Sequence, residues 1–258
     1  MARWKRFPHD NSAYTYEGNE LARAWPRLHA GDGCEFPDED WVKRQLEAAP
    51  DAAPASYDGN AANLATTIQG AWRSYHAGDF ERCVELAVQC GLLAHAAANK
   101  AAGIYGTYLE TDDDARQACF LAACERAEAA MEVMADDANA YYFHALNLGR
   151  YSQSISVVKA LGEGIGGKLQ SSLGAALELD PDHAEAHTAM GMYHAEIIDK
   201  VGKLIGGMTY SASEKESMKH FERSLAITPR APRARSRSMV SRYSGLEVSL
   251  ISPRTSSS

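Results

Sequence analysis

From Ala61 onward the apolar residues recur at helical spacing, and almost no segment shows the strict alternation of a half-buried strand. A first helix starts near Ala61 and ends at the pair Gly78-Asp79, which reads as a C-cap glycine followed by an N-cap aspartate. The following helix carries Cys83, Ala87 and Cys90 at small packing positions. The pattern then predicts a helix around Ala98–Leu109, a turn at Thr111–Asp114, and a long helix to about Met134. Three acids at that helix start suit the positive end of its dipole. A helix from about Ala138 holds Tyr141, Tyr142, Leu146 and Leu148, and its partner runs to Leu179 with Val158, Leu161, Ile165, Leu169 and Leu173 on one stripe. After Pro181 a helix continues through Tyr193, Ile197, Ile198, Val201 and Leu204, Gly206-Gly207 intervenes, and a last helix ends at Pro229. Residues 1–60 are different. Prolines 8, 26, 37, 50 and 54 and the turn signal Gly31-Asp32-Gly33 leave one short helix, around Asp40–Ala49, yet Trp4, Tyr14, Tyr16, Trp25 and Trp41 are too many aromatics for a free linker. The expectation is an extension of residues 1–60 partly packed on a helical domain of residues 61–229.

The joints between helices carry more information than the helices. Leu173, Ala176, Leu177 and Pro181 are matched by Phe221, Ser224, Leu225 and Pro229: a large residue, a small one, a capping leucine and a terminating proline. Met190 and Gly191 follow Pro181 at the spacing where two helices of a pair close up. This pattern resembles the tetratricopeptide repeat, with its period of about 34 residues. The fold class it implies is all-α, a tetratricopeptide-like α-solenoid of about four helix pairs with lengthened inter-helix connections. Gly149-Arg150-Tyr151, Leu179-Asp180-Pro181, Leu204-Ile205-Gly206-Gly207 and the Phe221…Pro229 helix also resemble the TRAP-transporter-associated T component and the regulator of microtubule dynamics family. That resemblance covers roughly residues 61–229 and is strongest over 140–229. It implies a helical protein that binds proteins or small apolar ligands and performs no known chemistry.

Charge narrows the partners. The net charge of −8 conceals a basic tail, because residues 230–258 hold six arginines against one acid and leave the preceding chain near −13. An acidic body argues against nucleic acid, which requires a basic face. The tail, rich in serine and arginine and without apolar period, is expected to be disordered. No stretch approaches the roughly 20 apolar residues of a membrane span, and the basic N-terminus lacks the apolar core of about 7–15 residues found in a signal peptide. Five cysteines without a CxxC pair read as free thiols in a reducing, cytoplasmic setting.

Two constellations invite a chemical reading. Gly162-Glu163-Gly164-Ile165-Gly166-Gly167-Lys168 satisfies the GxGxxG pattern, but its preceding segment has helical spacing and Leu169 stands where a phosphate loop places serine or threonine. These glycines read as a bend or break in a long helix. His183, His187 and His194 fall on one helix face, the first two at the i, i+4 spacing of metal-binding pairs. His187 and His194, however, occupy repeat positions at which large aromatics pack between helices. The reading is therefore no metal, no cofactor and no enzyme, since no nucleophile–base pair has a supporting context.

The repeat resemblance instead implies a concave face lined by the first helix of each pair. Counting along the repeats gives Ile68, Trp72 and Tyr75, then Asn139, Tyr142 and Leu146, then Glu185, Thr188, Met192 and Glu196. Aromatic anchors with glutamates suit a protein or peptide partner with an apolar or basic segment. The alternatives are that the N-terminal extension fills this groove, or that the helices enclose a small apolar ligand in a pocket lined by Trp72, Tyr142 and Met192. A histidine-centred metal protein is the third.

Overall fold

The computed structural model describes residues 3–229, and the serine- and arginine-rich tail lies outside them. All regular structure among the described residues is helical. The extension holds α1 (Glu20–Leu28) and α2 (Glu39–Ala48). After them come α3 (Ala61–His76), α4 (Phe80–Gln89), α5 (His95–Tyr108), α6 (Asp113–Val133) and α7 (Ala138–Gln153). The chain continues through α8 (Val157–Gly162), α9 (Ile165–Leu179), α10 (Ala184–Tyr210) and α11 (Glu214–Ile227). Among the described residues no helix is long and apolar enough to cross a membrane.

Local chemistry sets most boundaries. Asn60, Asp79, Asp112, Asp137 and Ser213 each accept a backbone amide from the first turn of the helix they precede, satisfying a donor that would otherwise be orphaned. The extension contains α1 in addition to the expected short helix. Pro26 obscured it in the sequence, but it sits in the last turn, where the chain tolerates it.

Packing follows chain order. From α3 to α7 each helix lies against the next, then α7 packs on α9, α9 on α10 and α10 on α11, while α5 also touches α3 and α7. The principal core runs through the extension, α3, α4 and α5, with Leu21, Val42, Ile68 and Cys83 essentially excluded from solvent. A second core joins α7, α9 and α10 around Phe143, Leu173 and Tyr193.

Two expectations about the long connections need correction. Val158 and Leu161 do not share a buried stripe with Ile165, Leu169 and Leu173, for Val158 is 81 % exposed. Gly164 adopts φ +64°, a left-handed turn that ends α8 and starts α9 in a new direction, so the angular register is lost across it. The second break falls at Gly202 (φ +82°, ψ 161°), before Gly206-Gly207, which stay helical. Beyond it Leu204, Ile205 and Met208 are turned to solvent.

Candidate functional site

The side of α3, α5, α7 and α10 on which Trp72, Lys100, Asn139 and Glu185 lie is covered by residues 29–34 of the extension. Four interactions fix this segment. The Glu185 amide donates to Gly31 O (2.9 Å). Asn139 Nδ2 donates to Asp32 O (2.8 Å). Trp25 Nε1 donates to Cys34 O (2.7 Å). The Asp32 carboxylate, 1 % exposed, is bound by the Lys100 ammonium, by His29 Nδ1 at 3.0 Å and by the Cys34 amide at 3.1 Å.

Lys100 and Asp32 form the centre of a buried polar network. The Lys100 ammonium also meets Glu185 Oε1 at 3.3 Å and lies 5.9 Å from the Phe143 ring, and Tyr142 donates its hydroxyl to Glu185 Oε2 at 2.8 Å. Burial alone would raise the Asp32 carboxyl, but the Lys100 and His29 charges outweigh it and hold it well below the usual carboxylate range. Burial likewise opposes the charge on Lys100, yet Asp32 and Glu185 keep it firmly protonated. Burial, with Glu185 beside it, pushes the Tyr142 phenol well up.

The tautomer of His183 follows from its partners. Its Nδ1 accepts the Ala186 amide (3.0 Å), so Nε2 must carry the proton and donate to Asn139 Oδ1 at 3.2 Å. That leaves Asn139 Nδ2 free to hold Asp32 O, and burial lowers the His183 pKa, which favours the same neutral ring. One chain of hydrogen bonds thus runs from the start of α10 through α7 into the extension.

What remains open is a cleft of about 410 Å³ between residues 32–49 and the edges of α3, α5 and α7. Trp41, Ile68, Trp72 and Met134 supply its apolar wall, and Asp32, His95, Asp137 and Asn139 its polar one. Of the groove residues counted from the sequence, Ile68, Trp72 and Asn139 line this cleft. Tyr142 and Glu185 belong to the ion network beside it. Tyr75 is packed edge-on against Trp72 with ring centroids 5.6 Å apart, and burial raises its phenol to about 12. Leu146 packs at the margin of the second core.

The α10 positions diverge from the count. The Thr188 hydroxyl meets Ser224 Oγ on α11 at 2.8 Å, and Glu196 accepts from Gln153 Nε2 at 2.8 Å near the far end of α7. Met192 is half-buried, and neither it nor Tyr142 lines the cleft. Asp32, Trp41, His95, Lys100 and Asp137 were missed. In sequence Gly31-Asp32-Gly33 signals only a turn, and its partner Lys100 lies 68 residues away.

The other constellations resolve into packing. His183 faces α7, whereas His187 and His194 face α11, where His187 Nδ1 is 2.8 Å from His220 Nδ1 and His194 stacks on the same ring. The GxGxxG stretch is preceded by helix α8 instead of a strand. His29, Asp32 and Cys34 bring ligand-type atoms within 4.8 Å of one another. Both Asp32 oxygens are already engaged, by the Lys100 ammonium, His29 Nδ1 and the Cys34 amide.

Comparison with known proteins gives one match. The sequence model of the family described as Regulator of microtubule dynamics protein 1-3 matches residues 82–236, more than half of the chain. No curated protein and no solved structure matches.

Proposed function

The chain belongs to the regulator of microtubule dynamics protein 1-3 family, and from that premise we propose that it is a non-catalytic protein-interaction module. In this reading it is a cytoplasmic, tetratricopeptide-like solenoid that grips a protein or peptide partner of the microtubule system on its concave side.

The observation that carries the reading is the way the helices hold residues 29–34. Backbone carbonyls of a tight turn, Gly31 and Asp32, are taken by the Glu185 amide and by Asn139, while the Asp32 and His29 side chains are buried beneath it. Peptide-binding grooves work in this manner, through main-chain hydrogen bonds for affinity and a few side-chain pockets for selectivity. The chain's own segment is integral, since Leu21 and Val42 on either side of it are fully buried. A partner therefore uses the cleft left open beside it. That cleft carries acidic side chains along its rim, which favours a peptide over a wholly apolar small molecule.

The test uses the full chain as bait in an extract rich in assembled microtubules. Ala135 is exposed and lines the cleft; Ala135→Arg places a bulky cation there without touching either core. A discrete partner retained by the parent protein and lost with Ala135→Arg, at unchanged melting temperature, supports the reading. Equal retention by both proteins refutes the cleft as the working surface.

A further inference from the structure

We propose that His187 and His220, which face each other between α10 and α11, form a binding site for a divalent copper or nickel ion. The site lies apart from the cleft and does not depend on a partner using it. The i, i+4 pair that the sequence offers is divided by the fold: His183 turns to Asn139 on α7, and His187 meets a histidine 33 residues further on. His187 Nε2 is 3.0 Å from the Pro181 carbonyl oxygen, which can only accept, so Nε2 carries a proton and Nδ1 of the neutral ring presents its lone pair. That lone pair lies 2.8 Å from His220 Nδ1. An N–H given to a backbone carbonyl is the support that orients a metal-ligating histidine and raises its basicity. On the other side His194 stacks on the His220 ring, with centroids 5.9 Å apart.

The separation of the two nitrogens selects the ion. Imidazole nitrogens sit about 2.0–2.1 Å from such metals, which puts two of them about 2.9 Å apart when they meet at a right angle and about 3.4 Å apart at the tetrahedral angle. The observed 2.8 Å fits the right angle, the geometry of tetragonal copper and nickel rather than of four-coordinate zinc. Coordination uses both rings neutral. The proton between them moves from His220 Nδ1 to its Nε2, which makes no hydrogen bond among the described residues, so none need be lost to solvent. Burial, with His187 and His194 beside it, lowers His220 to about 4, and protons therefore leave the pair open at neutral pH. Glu216, one turn ahead of His220 on α11, supplies negative charge to this face, and the opposing Lys219 is tied to it at 3.2 Å. Both rings are half-buried, which leaves a way in and room for solvent at the remaining coordination positions.

The experiment treats the full chain with chelator, then titrates it near neutral pH with copper, nickel and zinc sulfates. Copper should bind tightest at one equivalent, with an electron paramagnetic resonance spectrum of tetragonal form and nitrogen hyperfine splitting from two imidazoles. The melting temperature should rise as the site fills. His187→Gln and His220→Gln should each weaken copper binding at least about tenfold, the loss that even removal of a supporting partner brings. His9→Gln, which alters an exposed histidine of the extension, should leave it unchanged. Copper broadening of the parent protein's amide NMR signals locates the ion without any variant, and it should begin at His187, Lys219 and His220. Absence of a saturable equivalent, a spectrum without two nitrogen ligands, equal affinity in the folded His187→Gln and His220→Gln variants, or broadening centred elsewhere would overturn the proposal.

Discussion

Removing the Asp32 carboxylate should detach residues 29–34 from the helices they bridge, and its size can be worked from the network. Asp32→Ala deletes the acceptor of the Lys100 ammonium, of His29 and of the Cys34 amide. Breaking one partner of a buried ion pair costs about 3–5 kcal/mol, mostly for the charge left behind. Here Glu185 stays 3.3 Å from Lys100, which places the loss at the lower end, about 3 kcal/mol, or roughly 6–12 °C in Tm for a chain of this size. Lys100→Met should cost a comparable amount by stranding Asp32. The double variant leaves neither ion unpaired, so its loss should fall short of the sum by at least ~1 kcal/mol. The effect also has a pH signature. The folded pKa of Asp32 is depressed, because Lys100 and His29 outweigh the burial that would raise it. Its stabilisation is therefore complete above the unfolded value near 4 and is lost as pH falls below that value. The gap between the parent protein and Asp32→Ala should accordingly be constant from pH 7 to 5 and narrow from about pH 4 downward. Urea unfolding followed by far-ultraviolet circular dichroism at pH 7, 5 and 3.5 measures all three quantities. Strict additivity in the double variant, or a gap unchanged at pH 3.5, would refute the reasoning.

Two further outcomes can be checked in the same assay. A Cβ on Gly191 would lie 2.8 Å from the Phe221 ring, so Gly191→Ala should destabilise the α10–α11 contact by about 1–3 kcal/mol, whereas Gly174→Ala, open on all sides in mid-helix α9, should stabilise by roughly 0.5–1 kcal/mol; the same sign for both would refute this packing. The 2.8 Å approach of His187 and His220 admits one proton between the rings, and burial, followed by His187 and His194, lowers the His220 pKa to about 4. Its contribution is complete above the unfolded value near 6.5 and is lost as pH falls from 6.5 toward 4. For a partly exposed group it amounts to on the order of 1 kcal/mol, and a His220→Gln variant that loses stability over this range as steeply as the parent would rule it out.

The family relation was legible before any coordinates existed because it lives in short-range signals. The terminating prolines, the small residues between paired helices and the capping aspartates act within one or two turns, so they survive as local spacing in the sequence. Asp79 caps the helix it was expected to cap, and the periodic segments from Ala61 onward are helical over the described residues. Where a glycine leaves the helical region the reading failed, since nothing in the local composition separates Gly202, which breaks α10, from Gly206 and Gly207, which do not.

The sequence by itself thus determined the helical character of the described residues, the family over more than half of the chain, and an acidic body. Tertiary structure alone decided what lies against Lys100, Asn139 and Glu185. Asp32 meets Lys100, and Asn139 and Glu185 reach Gly31 and Asp32, across separations of 68 to more than 100 residues. A turn signal such as Gly31-Asp32-Gly33 encodes the local bend but not the destination of its carboxylate. That destination is fixed by the burial of Leu21, Trp25 and Val42 against α3 and its neighbours, which carries Asp32 to Lys100 and leaves the acidic cleft beside it open.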